Sequence, residues 1–285
     1  MALEMRVQSK TPVFLVGCPR SGTTLLQSLL AAHPDIISFP ESKFFQYFTP
    51  EYERRRKRLG FISQRLKPWL KHYFTDELGR SDLLTYFPVI PLQFLYVRQF
   101  IKVLSLLAEE QGKPLFLEKT PQHIFYIHTI EKYIPNAKII HLLRSGTDVV
   151  ASLYEVTHRY PQGWDGKWEI DRCVDHWKQA VKLSLNTKNK LNHHLVSYEQ
   201  LTETPEIVLK KICHFLSIAD DQNLIKNYSK AASPLLQPNH GRTVDTQKIN
   251  PSQSEKFNRI FDGSQRQYIF DQVAEVNQQI QDLDH

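Results

Sequence analysis

Cysteine is scarce in this chain, and what there is does not cluster. Cys18, Cys173 and Cys213 are odd in number and far apart, without CxxC or Cys/His spacing. Neither a disulfide framework nor a zinc site is expected, and reduced thiols are the simplest reading. His193-His194 stands alone, so no metal is expected either. Long apolar runs are also missing. No stretch approaches the roughly 18 uninterrupted apolar residues that cross a bilayer, and the opening MALEMRVQSKTP lacks the apolar core of a secretory signal. A cytoplasmic protein with no membrane partner is expected. Internal repeats and low-complexity tracts are absent as well.

What is present suits a packed core. At 285 residues and 41% apolar composition the chain can bury one large domain, and we read residues 1–285 as a single α/β unit. The formal charge of +6 suits a polyanionic ligand without calling for nucleic acid. Val13–Val16 is a short continuous apolar run, the signature of a parallel strand buried on both faces. A turn over Cys18–Thr24 follows, then Leu25–His33 with helical spacing, stopped at Pro34. Further apolar runs at Ile36–Phe39, Leu115–Leu117, Lys138–Leu143 and Leu195–Tyr198 alternate with helical stretches, which predicts a central parallel β-sheet flanked by helices. Between about 44 and 111 the pattern is helical and aromatic-rich, a helical insertion expected to cover the substrate. Arg54–Arg58 within it is basic at every position, in a helical stretch where a solvated face is the ordinary meaning. Ser233–Pro251 reads as a loop able to close over a ligand.

The sharpest motif is Gly17-Cys-Pro-Arg-Ser-Gly-Thr-Thr24, a strand-to-helix turn whose amides and helix N-terminus make an anion site. Its glycines have the spacing of a P-loop, but Thr23 stands where that loop places lysine, which disfavours ATP chemistry. Arg20 supplies a forked cation, and Ser21, Thr23 and Thr24 supply hydroxyl donors around Gly22. A second constellation follows Lys138–Leu143. Arg144 lies at the carboxyl end of that strand, where ligands of open α/β sheets bind, and Ser152 sits eight residues on in the next helix. Two separate anionic groups are implied.

Together these motifs resemble the PAPS-dependent sulfotransferase family, which uses 3'-phosphoadenosine-5'-phosphosulfate as donor and releases adenosine 3',5'-bisphosphate (PAP). Pro19-Arg-Ser-Gly-Thr-Thr24 resembles its 5'-phosphosulfate loop, and Arg144 with Ser152 its 3'-phosphate pair. Val196-Ser-Tyr-Glu-Gln-Leu201 resembles a further signature that would set Tyr198 near the adenine. Leu117-Glu-Lys-Thr-Pro-Gln-His123 is most similar to bacterial and tyrosylprotein-type members. Arg242 and Lys248, in Gly241–Lys248, are loosely similar to a late phosphate-contacting loop.

Sulfuryl transfer is an in-line displacement, so positioning and electrostatics dominate. Lys119, just past a strand end, is the candidate for the leaving oxygen, its ordinary alternative being an ion pair with Glu118. Two general bases are candidates: Glu41, whose separation from Arg20 resembles tyrosylprotein-type members and which could instead bridge Lys43 or Arg20, and His123, which could instead pack against the following helix. The expected acceptor is a small hydroxylated or amine metabolite, free or bound to a carrier protein. A tyrosylprotein or glycan acceptor is the alternative. A kinase is opposed by Thr23, and an inactive nucleotide-binding module by the presence of Glu41, Lys119 and His123.

Overall fold

A computed structural model describes residues 11–48, 53–221, 223–232, 235 and 255–283. Five strands, β1 (Pro12–Gly17), β2 (Ile36–Ser38), β3 (Leu115–Lys119), β4 (Lys138–Leu143) and β5 (His193–Ser197), form one parallel sheet in the order β2-β3-β1-β4-β5. This is the α/β class expected, with β1 at the centre. The strand ends match the apolar runs to within two residues, and β3 runs past its run because hydrogen bonding carries it on through Glu118 and Lys119, two charged residues that an apolar pattern cannot include.

Alternation on the central strands divides the core in two. Val13 and Leu15 of β1 pack with α1 (Thr23–Ala31) and the helix Pro205–Leu216 on one face. Phe14 and Val16 pack on the other face against the helices Gln93–Glu110, Gly146–Arg159, Ile170–Leu185 and Gly263–Gln281. At Gly17, a Cβ would lie 2.5 Å from Leu142 O, so only glycine lets β1 and β4 run together into the loop that follows.

Between β2 and β3 the chain forms the short helices Phe44–Phe48, Arg54–Arg58 and Leu66–His72, a π-helical turn Tyr73–Glu77, a 3-10 stretch Ser81–Tyr86, and the long Gln93–Glu110 helix. Aromatic packing anchors this region to the sheet: Phe44 stacks on Phe100 with centroids 4.1 Å apart, and Phe45 meets Phe14 at 6.2 Å.

Behind the sheet runs a polar chain. His141 of β4 contacts Ser184 Oγ and His193 Nδ1, and His193 faces Glu131. Burial holds the imidazoles of His141, His193 and His194 below their ordinary value and takes His176 to about 4. In the unfolded chain these rings take up protons near pH 6.5. The fold therefore binds fewer protons than the unfolded state, and its stability rises with pH through that range. Lowering the pH from about 7.5 to about 5.5 should depress the melting temperature well before carboxylates protonate. A His176→Leu variant should lose less over the same interval, as read by thermal unfolding at several pH values.

Candidate active site

The loop after β1 carries left-handed residues on both sides of Ser21, Arg20 at φ 75° and Gly22 at φ 92°, the backbone pattern of an anion nest. Ser21 N–H donates to Cys18 O at 3.1 Å, which closes the turn. No side chain caps the first amides of α1, and Ser21 Oγ is buried without a hydrogen-bond partner. Thr23 is buried and Thr24 half-buried at the helix start. Helix amides, an orphaned hydroxyl and a glycine cradle are what a tetrahedral anion requires.

The two phosphate-type motifs meet. Arg20 Nε donates to Ser152 Oγ at 3.1 Å across 132 residues of sequence, so the loop after β1 is fastened to the helix after β4. Arg144 donates to Asp148 Oδ2 at 2.9 Å and stacks its guanidinium 4.1 Å from the centre of the Tyr198 ring. Gly22 also lies against that ring, since a Cβ there would come within 2.3 Å of Tyr198 Cε2. A side chain at 22 would drive Tyr198 out. Glu199, one residue on, accepts from Ser145 N–H and from Ser197 Oγ, tying β5 to the start of the β4 helix.

On the other side of β1 stands a buried ion pair. Lys119 Nζ donates to Glu41 Oε1 at 2.7 Å, with side-chain exposures of only 2% and 5%. The alternative pairing of Lys119 with Glu118 is excluded by the strand itself, because neighbouring side chains on β3 point to opposite faces. Glu118 turns to the other face. There its Oε1 accepts from Ser42 Oγ and Thr120 Oγ1, both at 2.7 Å, and its Oε2 meets His123 Nδ1 at 2.9 Å. Burial pushes the Glu118 carboxyl up, but His123 and the Ser42 and Thr120 hydroxyls more than offset that and hold it below its ordinary value. His123 is fully buried, and its Nε2 accepts from Phe45 N–H at 3.2 Å. Both ring nitrogens of His123 therefore face protein groups. The sequence names Glu118 only as an alternative partner of Lys119 and does not single out Ser42 or Thr120; the polar pair Glu118-Lys119 ending an apolar run is the signal that points to this network.

Read along the sheet edge, the carboxyl ends of β2, β3, β1, β4 and β5 present Glu41, Lys119, the Arg20–Gly22 loop, Arg144 and Tyr198 in that order. Arg242 and Lys248 lie outside the described residues, as does all of 233–251 except Leu235.

Residues 12–222 match the model of the sulfotransferase family. An uncharacterized protein of Aquifex aeolicus is 26% identical over 77% of this chain, a region that makes up 27% of that relative. A putative protein-tyrosine sulfotransferase of Caenorhabditis briggsae is 24% identical over 76% of this chain and 69% of its own. Among solved structures, the sulfotransferase domain of the Synechococcus PCC 7002 olefin synthase superposes with a TM-score of 0.60 at 24% identity, covering 94% of this chain and 95% of that one. Mouse sulfotransferase SULT7A1, solved in complex with PAP, gives 0.54 at 16% identity over 93% and 83%.

Removing Glu118 should test the buried network directly. Glu118→Ala strands His123, Ser42 and Thr120 without their common acceptor and should lower the unfolding free energy by about 3–5 kcal/mol. Ser42→Ala, which removes one of several bonds, should cost only about 1–2 kcal/mol. Urea unfolding of the two variants beside the parent measures both.

Proposed function

We propose, from the premise that this chain belongs to the sulfotransferase family, that it transfers a sulfuryl group from PAPS to the hydroxyl or amine of a small molecule, free or carrier-bound. The observation that carries this reading is the ordered edge. A buried acid–ammonium pair stands on one side of an anion loop, and a second cation with an aromatic ring stands on the other. A donor with a phosphosulfate at one end and a 3'-phosphate at the other has the same bipartite form.

The residues fit that donor. Ser21 Oγ and the α1 amides would receive the 5' anionic end, and the glycine-seated Tyr198 ring would present a flat surface for a purine. Arg144 and Ser152, joined through Tyr198 and Arg20, would receive the 3'-phosphate. When bound, the donor supplies an electrophilic sulfur whose leaving group is a phosphate oxygen.

The remaining chemistry falls to this chain's own groups. Lys119 holds Glu41 in place, and an ammonium with three N–H donors can serve that carboxylate and a neighbouring developing charge together. Glu41 is the preferred base, an acceptor-only carboxylate already aimed at the Lys119 head group. His123 is assigned the role of a positioning residue, because Nε2 accepts the Phe45 amide and the ring proton therefore sits on Nδ1, donated to Glu118. The helices of 44–111 are assigned to covering the acceptor: Trp69 Nε1 donates to Ser42 O and Tyr73 OH to Pro40 O, on either side of Glu41. A tyrosylprotein acceptor is the second reading, favoured by the likeness to the Caenorhabditis briggsae relative. Incubating the protein with labelled PAPS and either a metabolite extract or tyrosine peptides separates the two.

Donor geometry has its own test. Arg144→Ala should weaken PAP about ten- to hundredfold, the loss expected for a charge-assisted contact, while adenosine 5'-phosphate should be affected much less. Equal losses by calorimetry would refute the 3'-phosphate assignment.

Catalysis should separate from binding at the other end of the edge. Glu41→Gln should retain PAP affinity and lose about 10² to 10⁴ in turnover. His123→Asn should chiefly lower stability. Active Glu41→Gln beside an inactive but folded His123→Asn would reverse the assignment of the base.

A further inference from the structure

The chain's positive charge is not where its anion loop is. Residues 54–71 hold eight Lys and Arg and no Asp or Glu, whereas the whole chain exceeds neutrality by only six. The remainder is therefore slightly acidic. No side chain of the helix Arg54–Arg58 is buried, and Lys67 and Lys71 are exposed on the next helix.

Apolar side chains stand out from the same surface. Val89 is 88% exposed, Leu59 69%, Ile90 59% and Phe94 54%. They are held beside the basic helix by backbone pairing: Phe61 bridges Leu92 in antiparallel fashion, Gln93 N–H donates to Gly60 O, and Ile62 N–H donates to Pro91 O. Gln93 Nε2 also donates to Lys57 O, and Lys67 Nζ to Val89 O. Lys102 lies over Tyr86 at 5.7 Å. Val89 and Ile90 sit between Pro88 and Pro91, so the apolar tip has a restricted backbone, and little further ordering is required when it is covered.

We propose that this face docks the protein on an anionic lipid surface, with Val89, Ile90, Leu59 and Phe94 entering the headgroup boundary and Arg54, Arg55, Arg58 and Lys67 over the anionic lipids. Two features select a bilayer over a folded partner. The four apolar side chains are each more than half exposed, which suits entry into a deformable layer that offers no matching pocket. The charge is of one sign across the whole stretch, as a uniformly anionic plane requires. Association of this kind needs no spanning helix, and among the described residues no helix is long and apolar enough to span.

The full chain would be sedimented with vesicles of phosphatidylcholine alone and with vesicles carrying phosphatidylglycerol. Binding is expected only to the latter and should weaken steeply with added salt. Replacing Arg54, Arg55 and Arg58 together by Ala should lower partitioning on the order of a hundredfold. Val89→Ser with Ile90→Ser should lower it about tenfold or more while leaving the salt dependence in place. Salt titration of the unaltered protein reads the electrostatic part without any substitution. No binding to the phosphatidylglycerol vesicles, equal binding to both vesicle types, or binding that neither variant changes would each overturn the proposal. So would binding to polyglutamate in place of vesicles, which marks an acidic protein partner, or self-association abolished by the variants, which marks a second copy of this chain.

Discussion

Two adjacent charges end a buried strand, and the rest of the site is arranged around neutralising them. Placing an ionised group out of water costs several kcal/mol unless a partner and further hydrogen bonds receive it. Glu118 and Lys119 are both almost fully buried at the end of β3, facing opposite ways. Each therefore needs its own partners, and both sets come from the segment just after β2 and the turn just after β3. Glu41 answers Lys119, while Ser42, Thr120 and His123 answer Glu118. The 41–45 segment is thereby fixed at both ends, with Lys43 held at a left-handed φ of 50° and its N–H donated to Thr120 Oγ1. A candidate base kept rigid in this way does not have to be ordered again when an acceptor arrives.

The opposite half of the edge is built by a different device. There the contacts are aromatic and shared: Tyr198 touches both Gly22 and Arg144, and Arg20 reaches Ser152. Elements that follow β1, β4 and β5 thus become one surface, although each belongs to a separate crossover. Gly146 supports it from below, since a Cβ there would meet Val273 and Trp177 within 3 Å, and its amide donates to Asn277 Oδ1. The C-terminal helix, which carries none of the recognised motifs, is in this way part of what positions Arg144.

These two halves were unequally legible in the sequence. Short apolar runs and the loop Gly17–Thr24 revealed the sheet, because a strand buried on both faces and a glycine turn leave local signatures. Lys138–Leu143 is bounded as its apolar pattern suggested. The pairings were not local. Lys119 and Glu41 are 78 residues apart and Arg20 and Ser152 132 apart, distances over which composition carries no register. Strand alternation could have separated Glu118 from Lys119, but only with the knowledge that β3 extends through them. His123 shows the same limit: its sequence neighbourhood suits a base equally well, and its complete burial against Phe45 is a property of packing alone.

Net charge, in turn, describes the surface and not the site. Two cations along the edge are matched by carboxylates, Lys119 by Glu41 and Arg144 by Asp148, and Arg20 donates to Ser152 Oγ. An anion entering this edge is met by oriented donors in a sheltered setting, where such interactions are weakly screened, and not by a large uncompensated charge. The chain's positive excess lies on the 54–71 stretch instead, exposed to solvent and sensitive to salt. Anion recognition by geometry, proposed for the edge, and by net charge, proposed for the 54–71 stretch, would differ in range, screening and specificity, and a single isoelectric point of about 9.1 does not distinguish them.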